Sequence, residues 1–194
     1  MRIPKSPSLK AGRVYRTADL SRWDRNGTRL ARRLEKDGKL RRLAQGLYVC
    51  EEQSAFGPVP PGDEEVLCAF LKKTPFVISG PSQWNLLGLR STALFADTWV
   101  YNTRRTCTLN VGNRRLHLRR VRFPKRPTPE WYVVDLLLHH DSAGMALQDL
   151  EDALRSALSA GRFDAGLLRE AAAGYGTRET RRLVERASAS RPGP

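Results

Sequence analysis

The chain has 194 residues, 40% of them hydrophobic, and 34 Lys and Arg against 20 Asp and Glu give a net charge of +14. That much apolar material excludes a disordered chain, and one or two domains of this total size bury about 70% of the unfolded surface. A basic excess this large leaves the fold open but favours polyanionic partners, meaning nucleic acid or an anionic membrane surface. The membrane option is weak. No apolar run approaches the ~18 residues of a spanning helix, and "MRIPKSPSLKAGRVYR" has no apolar segment of a signal peptide. Cys50, Cys68 and Cys107 are odd in number and widely spaced, which reads as free buried thiols in a reducing cytoplasm, without a CxxC pair for zinc. The basic excess is uneven: 14 basic and 6 acidic residues in 1–60, 12 and 4 in 61–127, 8 and 10 in 128–194.

Residues 2–10 hold two prolines and are too short for a good helix. "GRVYRTADLSRW" gives an extended piece at Val14-Tyr15 and a short helix that Thr17 can cap, with Leu20 and Trp23 pointing inward. A turn at Asp24–Gly27 leads into a helix from Gly27 to about Asp37. At 100° per residue Leu30, Ala31 and Leu34 share its apolar side, Arg29, Arg32 and Lys36 fall opposite, and Thr28 and Arg33 flank them. Gly38 stops the helix. "KLRRL" and "GLYV" follow as two short strands around Ala44-Gln45. "SAFGPVPPGDEE" reads as a connector, with Asp63 capping the next helix. The boundary falls there, giving domains 1–57 and 58–194.

In the second domain, Val66, Leu67, Phe70 and Leu71 have helical spacing and "PFVIS" suits a buried strand. "GPSQWNLLGL" reads as a short helix between Pro81 and Gly88; a phosphate-binding turn is the less economical interpretation. "DTWVYNT", "CTLNV" and "RRLHLRRVRF" look like consecutive strands, with a hairpin turn at Gly112-Asn113. Thr128 and Pro129 start a helix through "EWYVVDLLLHH". Leu147, Leu150, Leu154, Ala157 and Leu158 lie on one face of another, which Gly161 closes. Asp164 and Thr177 can cap two more, and "SASRPGP" is a frayed tail. The fold class is therefore α+β: an N-terminal winged helix-turn-helix, then a mixed α/β domain with an antiparallel hairpin and C-terminal helices.

Residues 25–48 hold eight Lys and Arg but two carboxylates. The order strand, helix, turn, helix, hairpin is that of a winged helix-turn-helix, whose second helix enters the major groove. Arg29 and Arg32 suit guanine O6/N7, with Arg33 beside them. Thr28, Lys36 and the wing residues Lys39, Arg41 and Arg42 suit phosphates. A merely solvated cationic face is the plainer alternative for any one of these residues, and less so for all of them together. The partner implied is a double-stranded operator. A single such domain reads one half-site, so specificity calls for a dimer, two copies on inverted repeats, or help from the second domain.

The stretch "TADLSRWDRNGTRLARRLEKDGKLRRLAQGLYV" resembles the N-terminal domain of the AbiEi family. The resemblance rests on Thr17 with Asp19-Leu20, on Leu34 with Gly38 and Leu40, and on Arg42-Leu43 with Gly46-Leu47-Tyr48; "ISGPSQWNLLGL" (78–89) is similar to a segment of the family's second domain. The spacing at Thr17 is one residue tighter than the family's, and the missing first helix is a further departure. The resemblance implies an autorepressor and antitoxin of a type IV, abortive-infection toxin–antitoxin operon. It also implies a nucleotidyltransferase-like toxin as partner, neutralised without a requirement for tight binding.

A second basic run, Arg104 to Arg126, has nine Lys and Arg and no acid. Arg104, Arg105, Arg114, Arg115, Arg119, Arg120 and Arg122 offer a second nucleic-acid surface, or only the solvated face or protected edge of a strand. The adjacent Arg119-Arg120 breaks the alternation, which suggests a bulge. The competing function is an RNA-binding or nucleic-acid-processing accessory protein that uses 104–126. No catalytic triad, P-loop or dinucleotide fingerprint is present, so no enzyme, cofactor or metal is expected. His139-His140-Asp141 lacks a third ligand, His117 reads as a surface residue, and the four tryptophans read as core, with Trp99 and Tyr101 the two residues placed for base stacking.

Overall fold

The computed structural model describes residues 7–89 and 97–189. The chain is α+β and parts into two compact units: the segment up to Pro75 with Leu109–Asn113, and Phe76–Thr108 with the segment from Arg114 onward.

In the first unit, β1 (Val14–Arg16), β2 (Arg41–Ala44) and β3 (Leu47–Val49) form an antiparallel sheet in the order β1-β3-β2. Val14, Tyr15 and Arg16 pair with Val49, Tyr48 and Leu47, and the β2–β3 register shifts between Arg42 and Ala44. Two helices precede the β2–β3 hairpin, α1 (Thr17–Leu20) and α2 (Gly27–Lys36). Their core is Tyr15, Leu20, Leu30, Ala31, Leu34, Leu40 and Tyr48, with Trp23 packed on it. Of the stretch 2–10, read from sequence as too short for the usual first helix, residues 7–10 are described and are not helical.

Thr17 does not cap α1. Arg16 occupies that position: its N–H donates to the Asp19 carboxylate at 2.9 Å and its guanidinium meets the same group at 2.6 Å. Thr17 is engaged elsewhere: its N–H and its hydroxyl both donate to the Gly46 carbonyl of the β2–β3 turn, at 3.0 and 3.5 Å. For α2 the Asn26 side chain is the cap, accepting from the Arg29 N–H at 2.9 Å, and Gly38 ends it at φ 68°. Where α2 begins it crosses α1 so closely that a Cβ on Gly27 would overlap the Thr17 carbonyl oxygen and crowd the Ser21 backbone. Backbone cannot swing aside as a side-chain tip can. Gly27→Ala should therefore destabilise the first unit by about 1–3 kcal/mol, the usual range for overpacking; a denaturation midpoint equal to wild type would show that the crossing is not rigid.

The stretch read as a connector forms a two-stranded ribbon, β4 (Glu52–Ser54) with β5 (Gly57–Val59). The Ser54 hydroxyl accepts from the Phe56 N–H and donates to the Gly57 carbonyl, closing a tight turn. Pro58 fits because a two-stranded ribbon has an unpaired side. α3 (Asp63–Phe70) starts from Gly62, with Asp63 its first residue rather than its cap. Three acidic residues fill its first turn, favoured by the helix dipole. The Glu65 carboxylate accepts from the Val14 N–H at 3.2 Å, so the compact unit reaches past residue 57, the boundary expected from sequence, to Pro75.

The second unit contains β6 (Phe76–Ser79), α4 (Pro81–Leu86), β7 (Asp97–Asn102) and α5 (Pro129–Leu138), followed by α6 (Leu147–Ser159), α7 (Ala165–Tyr175) and α8 (Arg178–Ser188). Asp164 and Thr177 cap α7 and α8. The tail lies outside the described residues beyond Ala189. With β8 (Cys107–Val111) and β9 (Arg114–Arg120), the strand order is β6-β7-β9-β8. The strands are thus not laid down consecutively: β9 lies between β7 and β8 and runs parallel to β7. Asn102, fully buried, organises the turn that makes this possible. Its side chain accepts from the Arg104 and Arg105 N–H groups and donates to the Arg105 and Arg119 carbonyls. The expected bulge at Arg119-Arg120 is absent on the β7 side, where the register runs unbroken to Asn102↔Arg120. Alternation ends because the strand ends, leaving Val121 and Phe123 beyond it.

α6 and α8 are tied by Glu151, whose buried carboxylate accepts from Arg186 at 2.5 Å and from Arg155 at 3.1 Å. The Arg186 hydrogen bond holds the Glu151 carboxyl below its usual range. A carboxylate with a depressed folded pKa stabilises fully above its unfolded value of about 4.3, and the contribution disappears as pH falls through the folded value. Glu151→Gln should thus lower stability at pH 7 and flatten the acid limb of a stability–pH curve; parallel curves for variant and wild type would count against the link.

Candidate nucleic-acid interface

α2 separates its two faces as the spacing predicts. Leu30, Ala31 and Leu34 are at most 2% exposed, while Thr28, Arg29, Arg32, Arg33 and Lys36 are exposed, as are Lys39, Arg41 and Arg42 just after it. The helix is short and strongly capped, so its side chains stand on a rigid element. Arg42 and Tyr48 pair across the hairpin, with Tyr48 in the core, and this fixes the cationic hairpin to the same unit.

Two of these cations are held by carboxylates. Arg29 meets Asp24 at 3.2 Å, and Arg41 donates to Glu51. Asp24 also accepts from the Asn26 N–H at 2.9 Å; that bond and the Arg29 guanidinium draw its carboxyl below the usual range. Asp24 therefore tethers Arg29 beside the cap of α2, a partner the wheel alone does not display because it lies outside the helix. Arg32, Arg33, Lys36, Lys39 and Arg42 make no ion pair with a carboxylate among the described residues. Such a row of unneutralised charge along α2 and into β2 suits a phosphate backbone, where each neutralised phosphate releases counterions.

The second basic run is distributed differently. Arg104 and Arg105 lie in the turn after β7, Arg114, Arg115, Arg119 and Arg120 on β9, and Arg122 just past it. Strand alternation puts Arg115, His117 and Arg119 on one face and Arg114, Leu116, Leu118 and Arg120 on the other. The seven arginines thus do not share one face of the sheet. The Arg119 guanidinium lies 4.3 Å above the Trp99 ring. His117 is half-buried rather than on the surface, because it pairs beside Trp99 on β7. Trp99 and Tyr101 are buried, so neither offers a face for base stacking.

The cysteines depart from expectation. Cys50 and Cys107 are half-buried and Cys68 is exposed, because α3 turns Val66 and Leu67 inward and Cys68 away. Burial of its sulfur and the neighbouring Glu65 and Glu64 raise the Cys68 thiol above its usual range. Among the described residues, no group of three or more His, Cys, Asp and Glu is drawn together as for a metal ion.

The residue that sequence reasoning passes over is Asp135 on α5, 3% exposed. Its carboxylate accepts from Ser79 Oγ at 2.5 Å, Trp84 Nε1 at 2.9 Å and Tyr101 Oη at 2.7 Å, and His139 Nδ1 stands 3.4 Å away. Burial beside this carboxylate pushes the Tyr101 phenol far above its usual range, so it remains a donor. His139 packs edge-on to Trp99 at 4.6 Å and stacks along Trp84 at 5.9 Å. The one available signal is an acid in the middle of "WYVVDLLL", where nothing but a buried and fully bonded carboxylate is tolerable.

Searches of protein-family models and of curated proteins find no match to the chain.

Proposed function

We propose that the first unit is a winged helix-turn-helix that binds operator DNA, with α1 and α2 as the helix-turn-helix and β2–β3 as the wing. The observation that carries this reading is α2 itself: an apolar stripe spent on its own core and an outward cationic row, continued by Lys39 and Arg42. Arg32 and Arg29 read guanine edges; Thr28, Arg33, Lys36, Lys39, Arg41 and Arg42 grip phosphates. Two copies on inverted repeats supply the specificity that one half-site lacks. In this reading the protein is a cytoplasmic transcriptional autorepressor. Together with the AbiEi-like motifs, it is the antitoxin of a type IV toxin–antitoxin operon whose toxin is a nucleotidyltransferase, and it has no catalytic role of its own.

The test is a salt-titrated binding assay on three probes: duplex from the region upstream of the coding sequence, unrelated duplex, and single-stranded RNA. A repressor prefers the upstream duplex by about 10³-fold or more. Equal, steeply salt-dependent binding to all three would mean that the net charge is merely adhesive, and preference for RNA would favour an RNA-binding role for residues 104–126.

A further inference from the structure

A cavity of about 600 Å³ opens in the second unit, within the range of small-ligand sites. It is composed of two unlike parts. Half-buried Tyr175 and His139 supply aromatic surface, with Leu138 and the buried Trp131 and Val134 beside them. Arg119, Arg120 and Arg122 line the other part, Arg119 on the face of β9 that Tyr101 shares and the Arg120 side chain on the opposite one. We propose that this cavity is a binding site for a nucleoside monophosphate, the base against the aromatic wall and the phosphate at the arginines.

The charge argues for phosphate. None of the three arginines makes an ion pair with a carboxylate among the described residues. A planar carboxylate is satisfied by one bidentate guanidinium, whereas a phosphate monoester, with close to two charges and three oxygens, uses several. Arg119 is held in place over Trp99, so one guanidinium of the anion end needs little ordering when a ligand arrives.

The other end argues for a base rather than a plain hydrocarbon ring. His139 Nδ1 lies 2.9 Å from the Asp135 carbonyl oxygen, which can only accept, so the ring proton sits on Nδ1. In the neutral ring Nε2 is then an acceptor, and it has no hydrogen-bond partner among the described residues; the same is true of the Tyr175 hydroxyl. An acceptor and a hydroxyl inside an aromatic wall match the N–H and amino groups of a nucleobase edge. Asp135 does not oppose the phosphate directly, because Ser79, Trp84, Tyr101 and His139 occupy its oxygens. Its role is to position His139.

The experiment is titration of the full-length protein with the four ribonucleoside 5′-monophosphates, their nucleosides and inorganic phosphate, followed by tryptophan fluorescence and calorimetry. At least one nucleotide should bind saturably, about tenfold or more tighter than its nucleoside and than phosphate alone. An Arg119→Ala/Arg122→Ala double variant should lose about tenfold or more of that affinity with its thermal midpoint little changed, since both side chains are exposed. Three results would each overturn the proposal: no nucleotide binding at millimolar concentration, phosphate or nucleoside binding as tightly as nucleotide, or unaltered binding by the double variant. The inference does not depend on the DNA reading, because Arg32 and Arg122 report on the two separately.

Discussion

Arg32→Glu should abolish operator binding while leaving the fold intact. Arg32 is exposed on the outer side of α2 and has no ion pair among the described residues, whereas Arg29 is already engaged by Asp24. Of the two residues assigned to guanine edges, Arg32 is thus the one that gives up no carboxylate partner on binding. A bidentate arginine–guanine contact discriminates by about 1–3 kcal/mol, so Arg32→Ala should weaken the specific complex roughly 5–150-fold. The glutamate goes further, because it sets a negative charge against phosphates where a positive one stood. An exposed substitution away from caps and core changes stability by about 0.5 kcal/mol or less, so the thermal midpoint should not move. Fluorescence anisotropy with labelled upstream duplex at several salt concentrations would read this directly. Wild-type affinity in Arg32→Glu would remove α2 from the recognition role.

The largest effect on stability should come from Asp135→Ala. The carboxylate is buried and carries no Arg or Lys partner; hydroxyl, indole and phenol donors compensate for its desolvation, with the His139 imidazole nearby. Alanine leaves those donors facing a small void. Unpaired buried donors and the lost packing together suggest a loss of about 3–5 kcal/mol, a large share of a typical domain's total of about 5–15. Asp135→Asn retains the volume but turns one oxygen into a donor aimed at other donors, so it should recover only part of the loss. Denaturant unfolding followed through the tryptophans measures both. A loss below about 1 kcal/mol for Asp135→Ala would mean that Ser79, Trp84 and Tyr101 find other acceptors.

The helix α2 was legible because its signal is local. Leu30, Ala31 and Leu34 at helical spacing, the turn at Asp24–Gly27 and Gly38 set its position within one residue of the observed span. Where a partner comes from outside the element, the pattern is silent. Asp24 reaching Arg29, Gly46 drawing Thr17 away from capping, and Glu65 securing α3 to β1 are contacts between segments. The insertion of β9 beside β7 is the clearest case. A two-residue Gly-Asn turn announces a hairpin, but the other neighbour of β9 depends on how Asn102 bends the chain 18 residues before the strand ends. Apart from its apolar setting, the role of Asp135 was hidden for a related reason: its donors come from β6, α4 and β7, and helix periodicity does not show which groups bond a buried acid.

The parallel pairing of β7 and β9 has a consequence for synthesis. As the chain emerges, β7 can join β6, but its opposite edge stays open until Arg120 has followed Asn102 by 18 residues. At about 5–20 residues per second that interval is roughly one to four seconds, long compared with the microseconds in which a hairpin closes. An open edge of "TWVYN" is the kind of segment that pairs with a neighbouring nascent chain. The residues that come next are Arg104 and Arg105, then Arg114 and Arg115. Whatever they do in the finished protein, these arginines arrive in time to keep two half-made copies apart on one messenger.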